Sequence, residues 1–366
     1  VTSATPWRAH ASQQETGYVI AWPENSELTY EKKHELNLGF NAGFLKDRIN
    51  LSFDWYHRNN FDLIGPINTM GLGGSTIKYG NVATMKSNGI ELSISSTNVK
   101  TKDFSWVTDF VYAHATNKIT DLQSRQRVID LVSGSGFGVS GYPVRALFSI
   151  PFAGLNEQGL PTFYTTADRT GTTVTGINFQ QRTGLDFLKY EGSVDPTDYG
   201  SLGNTFSYKG LKLNIFMTYS FGNVVRLDPV FRNRYNDLSS TPREFENRWI
   251  NPGDEAKTTV PVIASYRQNY ENANLNYAYN AYNYSDARIA KGDFIRMKEI
   301  SLSYDFPKAW AKKLAVSDIS LKLQASNLFL IYSDSKLNGQ DPEFFNTGGV
   351  ATPLARQFTM TLRVGI

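Results

Sequence analysis

Side chains that could carry bond chemistry are sparse and scattered along the 366 residues. Four histidines, His10, His34, His57 and His114, lack the close spacing that metal ligands share, and no cysteine is available as ligand, nucleophile or disulfide partner. Gly136-Phe137-Gly138-Val139-Ser140-Gly141 has the spacing of a dinucleotide loop, yet that motif needs a strand before it and a helix after it. Pro143 and a strand-like run follow instead, so a loop is expected there, as at Gly71-Leu72-Gly73-Gly74-Ser75. No metalloprotease or nucleophile-elbow motif is present, and no two carboxylates are paired for glycoside hydrolysis. The expectation is a non-enzyme without cofactor or metal. One stretch does suit recognition: Tyr266, Tyr270, Tyr277, Tyr279, Tyr282 and Tyr284 alternate with Asn269, Asn272, Asn274, Asn276, Asn280 and Asn283. Tyrosine offers flat apolar area with a polar tip, and asparagine offers both donor and acceptor, a pairing that fits sugar rings or peptide backbone. Packing of this loop on its neighbours or on a partner is the other reading. Arg226, Arg232, Arg234, Arg243 and Arg248, in the same long loop, are read as structural or partner-facing.

The elements that must hold these residues show a period of two. Phe358, Met360, Leu362, Val364 and Ile366 share one face of the last segment, opposite Gln357, Thr359, Thr361 and Arg363. Leu211, Leu213, Ile215, Met217, Tyr219 and Phe221 stand opposite Lys212, Asn214, Thr218 and Ser220. Ile49, Leu51, Phe53 and Trp55 oppose Asn50, Ser52, Asp54 and Tyr56, and Ile319, Leu321, Leu323 and Ala325 oppose Ser320, Lys322, Gln324 and Ser326. The chain is therefore expected to be all-β. Charged residues are 19% against the roughly 25% usual in soluble proteins, and aromatics reach 13%. The net charge of +3 gives no case for a nucleic-acid partner. Mean hydropathy is −0.36, and no apolar run approaches the roughly 20 residues of a spanning helix. That leaves a transmembrane β-barrel open, because alternation hides its apolar face from any average.

Two features favour the barrel over a soluble sandwich. Strands of about 9 to 14 residues exceed the usual 5 or 6, and Trp55, Tyr56, Trp106, Tyr112, Tyr219, Phe221, Tyr304 and Phe306 sit near strand ends, as in interfacial girdles. Eleven strands are predicted, at about 33–45, 48–62, 85–98, 103–118, 144–154, 160–165, 201–208, 211–222, 293–306, 318–331 and 355–366. Short connections (46–47, 100–102, 156–159, 209–210 and 307–318) alternate with long ones at about 65–84, 119–143, 166–200, 223–292 and 332–354. Short periplasmic turns and long extracellular loops give this rhythm, which puts residues 1–32 outside the cell and the last residue in the periplasm. Bacterial barrels close with an even number of strands and cannot leave an edge in lipid, so more strands are expected beyond these. The polar positions Asn50, Asp54, Lys212, Asn214, Lys322 and Gln324 are then expected to face the barrel interior.

Several segments, in order, resemble the SusC/RagA-like TonB-dependent transporters of Bacteroidetes outer membranes. They begin with residues 28–64, Leu-Thr-Tyr-Glu-Lys-Lys-His onward through Asp54-Trp55-Tyr56 to Asp62-Leu63-Ile64. Gly80-Asn81-Val82 with Asn88-Gly89-Ile90-Glu91, and Tyr199-Gly200-Ser201-Leu202-Gly203-Asn204 with Tyr208-Lys209-Gly210-Leu211, follow. Arg248-Trp249-Ile250-Asn251-Pro252-Gly253-Asp254 and Gly292-Asp293-Phe294-Ile295-Arg296-Met297-Lys298 are the most specific. Asn327-Leu328-Phe329, Asp341-Pro342-Glu343 and the last strand complete the series, although Ile366 stands where the family prefers an aromatic.

The resemblance implies a 22-stranded barrel of which residues 33–366 form the C-terminal half and 1–32 the remnant of an extracellular loop. It implies an N-terminal plug and half-barrel portion, no segment of which is recognised in this chain, nor any signal peptide. A SusD-like surface lipoprotein would lid the barrel, and the TonB-ExbB-ExbD complex would energise it. The implied activity is import of an oligosaccharide or peptide across the outer membrane, with outer-membrane lipid around the wall. A siderophore-type receptor without a lid, and a soluble β-rich binding or adhesin module, are the alternatives. On this reading the Tyr/Asn stretch contacts either the ligand or the lid.

Overall fold

A computed structural model describes residues 3–7, 17–22, 25–68, 70–71, 77–123, 125–230, 241–344, 353 and 355–365. Nine strands form one antiparallel sheet in which every neighbour in space is also the neighbour in sequence. They are β1 (Lys32–Phe44), β2 (Ile49–Asn68), β3 (Ile77–Lys100), β4 (Phe104–Leu122), β5 (Asp198–Tyr208), β6 (Leu211–Phe221), β7 (Phe294–Asp305), β8 (Asp318–Ser333) and β9 (Gln357–Gly365). Within the sheet β1 and β9 each have a single paired neighbour.

The register shows what the alternation is for. Leu51, Ile94, Phe110, Leu202 and Met217 lie side by side across β2 to β6. Leu213, Leu302, Leu323 and Met360 do the same across β6 to β9. This apolar face is bare: Phe358, Met360 and Leu362 are 75%, 71% and 62% exposed, a pattern water does not tolerate over so large an area. Aromatic side chains border it at both ends. Phe44, Tyr208 and Tyr304 lie at the short-turn end, and Trp55, Tyr112, Tyr219 and Tyr332 at the long-loop end. Tyr56 does not join them. It stands on the polar face, buried over Gly89, where any side chain in place of the glycine hydrogen would run into its ring.

Two of the eleven expected strands are not in this sheet. The segments at 144–154 and 160–165 give only Ala146–Ser149, Phe152–Leu155 and Pro161–Tyr164, which pair in separate two- and three-stranded sheets. Pro151 and Pro161 interrupt the run, and Ala146 to Ser149 are buried on both sides instead of alternating. Asn156 to Gly159 therefore turns within the loop region, and the connections expected at 119–143 and 166–200 belong to a single one, 123–197. Removing two strands keeps the count odd, so short and long connections still alternate. The segment 1–32 contains a hairpin, Ser3–Trp7 with Gly17–Trp22. Ile366, Leu72 to Ser75, Arg232 and Arg234 lie outside the described residues.

The largest apolar core is built by the long connections, not by the sheet. Val128, Ile150, Leu160, Phe163, Leu275 and Tyr282 are among its fully shielded members. Residues 123–197 and 241–293 thus form a packed cap at the long-loop end. At the opposite end β5 and β6 are joined by Lys209 and Gly210, both at positive φ (45° and 87°), as the tightest hairpins require. A Cβ on Gly210 would sit 2.8 Å from the Asp305 carbonyl oxygen. Gly210→Val is expected to destabilise the protein by about 1–3 kcal/mol, read from the denaturant midpoint in detergent; an unchanged midpoint would show the turn to be unstrained.

Candidate functional site

The six residues expected to face an interior do share one face. Asn50 pairs across β2 and β3 with Ser95, then in succession with Asp109, Gly203, Phe216 and Glu299. Asp54 lies two rows up, opposite Glu91. Lys212, Ser303, Lys322 and Thr361 form one row, and Asn214, Ser301, Gln324 and Thr359 the next. Side chains on this face bond to one another: Ser95 Oγ donates to Asp109 at 2.7 Å and Gln324 Nε2 to Glu299 at 2.9 Å. Arg58 donates to Glu35 at 2.8 Å and lies 4.1 Å over the Tyr56 ring. The result is a hydrogen-bonding wall with charges of both signs, able to present to a polar solute what water presents.

The Tyr/Asn stretch is not an irregular loop. It forms two helices, α1 (Tyr266–Glu271) and α2 (Leu275–Asn283). Ser265 caps α1 in a reciprocal box with Gln268. On α2 the buried residues Leu275, Ala278, Tyr279 and Tyr282 follow the i, i+3, i+4, i+7 spacing of one helix face. That spacing was readable, but tyrosine and asparagine are indifferent helix formers and mask it.

The helical period sorts these tyrosines and asparagines. Tyr266, Tyr270 and Tyr277 are 88%, 82% and 49% exposed and remain free to touch a ligand or partner, as does Asn276. Tyr279, Tyr282 and Asn283 are core residues, which corrects their assignment to a contact surface. Tyr279 donates to the Val262 carbonyl at 2.6 Å, and burial holds its hydroxyl well above the ordinary value. Asn283 accepts from the Val230 amide at 3.2 Å. Tyr284 and Asn280 are half-buried, with the Tyr284 ring edge-on to Phe179.

Arginine holds the cap together. Arg226 is 7% exposed and donates to the Phe148 carbonyl at 2.8 Å, the Ser149 hydroxyl at 3.0 Å and the Ser285 carbonyl at 3.0 Å. Burial lowers its pKa to about 10. Arg248 lies over the Phe245 ring at 4.8 Å, while Arg243 is exposed. Two further arginines, not singled out from the sequence, tie the last long connection to the rest. Arg296, on the polar face of β7, is 7% exposed and pairs with Asp341 and, at 3.2 Å, with Glu343. Arg288 pairs with Glu244, whose other oxygen accepts from Asn338 at 2.7 Å. A polar cavity of about 580 Å³ opens here, with Glu244, Arg288, Lys257, Lys336 and Asn338 in its wall.

The resembling motifs prove to be structural fastenings. Asp254 accepts from the Asn251 and Ile250 amides, which hold its carboxyl below the usual range, and Glu255 accepts from Trp249 Nε1 at 2.8 Å. Asn81 brackets Thr29, accepting from its amide at 2.8 Å and donating to its carbonyl at 2.9 Å. Arg226→Ala would strip buried acceptors of their donor, each worth about 1–3 kcal/mol. Loss of about 3 kcal/mol of cap stability is expected in urea-dependent proteolysis of the long loops; unaltered resistance would show that Arg226 does not hold them.

No protein-family model matches the chain. TonB-dependent receptor P26 of Formosa agariphila is 26% identical over 356 residues, covering 92% of this chain and 33% of the relative. SusC of Bacteroides thetaiotaomicron is 26% identical over 370 residues, covering 96% of this chain and 34% of its own. A structure of the RagAB peptide transporter superposes with a TM-score of 0.77 at 22% identity, over 100% of this chain and 38% of that one. The chain spans about a third of the length of the curated relatives it matches. Its antiparallel sheet with segregated faces, its ordered motifs and these relatives agree: the chain is similar to TonB-dependent receptors, SusC among them, and its fold is that of an outer-membrane β-barrel.

Proposed function

We propose that this chain forms part of the wall and the extracellular cap of an importer for oligomeric nutrients, glycan or peptide. The observation that carries the reading is the sheet's division into a bare apolar face and a continuous polar one holding Asn50, Asp54, Lys212, Asn214, Lys322 and Gln324. The apolar face takes lipid and the polar face lines the lumen against the plug. Residues 33–366 supply nine strands of the C-terminal part of the barrel, fewer than half of the 22 that the resemblance implies, and 1–32 belong to an extracellular loop. β1 and β9 pair with strands of the remaining part. No bond is made or broken: ligand is enclosed between plug and lid, and TonB-ExbB-ExbD draws on the plug to open a path along the wall.

Charge placement tests the orientation, because Leu323 and Gln324 are adjacent yet face opposite ways. Leu323→Arg is expected to cost about 2–4 kcal/mol on folding into lipid bilayers, and Gln324→Arg close to nothing. Equal costs, or the reverse order, would remove the membrane reading.

The cap meets the lid through Tyr266, Tyr270 and Tyr277, whose rings supply the amphipathic area that partner surfaces favour. Replacing all three by Ser should weaken co-purification of a SusD-like lipoprotein about tenfold or more while leaving barrel assembly intact. Full retention of the lipoprotein together with lost uptake would move these tyrosines from lid to ligand. Retention of both would leave them no part in either.

A further inference from the structure

We propose that the outward face of β3 and β4 binds the phosphate of an outer-leaflet lipid headgroup between Lys86 and Lys118. This rests on the membrane orientation given above. The two lysines stand directly opposite each other in the register, and the row continues through Asn59 of β2 to His34 of β1. Both lysines are exposed. Like charges so placed repel, and a protein normally separates or neutralises them.

Neither lysine takes part in an ion pair among the described residues. Lysines nearby do: Lys32 pairs with Asp62 at 2.8 Å, Lys33 with Glu35 at 2.6 Å and Lys78 with Glu27 at 3.2 Å. Asp121, one row higher opposite Thr84, is the nearest carboxylate by register and bonds to neither. The neutralising group must come from outside the described chain.

Height selects its chemistry. The face reads upward as Phe53, Leu92 and Tyr112, then Trp55, Ile90 and His114, then His57, Asn88 and Thr116, and then the lysine row. Ile90 to Lys86 is four residues, about 14 Å along a strand and near 10 Å along the membrane normal for the usual tilt. The aromatic row marks the hydrocarbon boundary, so the ammonium groups lie at the level of headgroup phosphates.

The test uses the intact transporter with its partner chains in phosphatidylcholine nanodiscs doped with bis-phosphorylated lipid A. Lipid retention is read by native mass spectrometry after competition. Lys86→Gln with Lys118→Gln is expected to weaken retention about thirtyfold, each lysine near an anionic surface being worth about fivefold. Lys78→Gln, whose lysine is already paired, should change nothing. Retention by the double variant equal to that of the parent overturns the proposal, as does equally strong binding of inorganic phosphate, which would make this a free-anion site. A polarity-sensitive dye on Leu323→Cys, the only cysteine within these 366 residues, separates the two levels of failure. A dye in water sinks the membrane orientation itself. A dye in lipid with unchanged retention sinks only the lysine site.

Discussion

A single row of the backbone ladder crosses all nine strands: Gly43, Asn50, Ser95, Asp109, Gly203, Phe216, Glu299, Ser326 and Gln357. The row one residue along is Phe44, Ile49, Ser96, Thr108, Asn204, Ile215, Ile300, Ala325 and Phe358. One residue of slip at any pairing would exchange the two rows and put Asp109 and Glu299 where Phe44 and Phe358 stand. In lipid the ladder is obligatory as well, since no water is available to satisfy a free amide or carbonyl. Register and burial therefore enforce one another, and the rest of the structure is hung on that ladder.

Polar residues inside the apolar belt are tolerated because they answer each other. Asn204 faces outward, yet its side-chain oxygen accepts from Trp106 Nε1 at 2.9 Å and from Thr108 Oγ1 at 2.8 Å. The ladder is also interrupted locally, once beside a short turn, between Thr97 and Val99, and more often towards the long-loop end. Register shifts occur between Asn60 and Leu63, between Thr84 and Met85, and between Met297 and Glu299. Asn327 takes φ 53° at the last of these, a conformation asparagine accepts more readily than most residues, which gives the Asn327-Leu328-Phe329 motif a backbone reason. Just above it, Arg296 draws Asp341 and Glu343 onto the polar face, so a loop beginning at the rim is folded inward.

The nine long strands, their two faces and the six polar-face residues were legible because a half-buried strand writes its environment into every second residue. Segment 144–165 misled for the opposite reason. Its strands are short and buried on both sides, so they display apolar runs without alternation, and a run of that kind is compatible with a spanning strand or a loop core. The Tyr/Asn helices were hidden by composition: Tyr279 and Tyr282 look like a contact surface when read one residue at a time, and like a core only when Leu275 and Ala278 are counted with them. The sequence marks Arg226 as structural or partner-facing, but what the arginines fasten could not be read from it. Arg226 and Ser285, or Arg296 and Asp341, lie far apart in sequence, and only the fold brings a donor to its acceptor.

The location of the apolar core explains how rim and wall can do different work. In a soluble sheet protein the core lies between faces of the sheet; here the sheet gives its apolar face away, and the buried cluster of Val128, Leu160, Phe163, Leu275 and Tyr282 sits in the long connections. The cap consequently has its own packing and does not draw stability from lipid. Hydrogen bonds from Arg226 and the Arg288–Glu244–Asn338 chain join separate connections into that unit. A cap packed around its own apolar core, with the last long connection fastened to the wall through Arg296, can hold Tyr266, Tyr270 and Tyr277 at a fixed place relative to the sheet. Loops stabilised only by their strand ends could not, because each would lose the ordering entropy separately on meeting a partner.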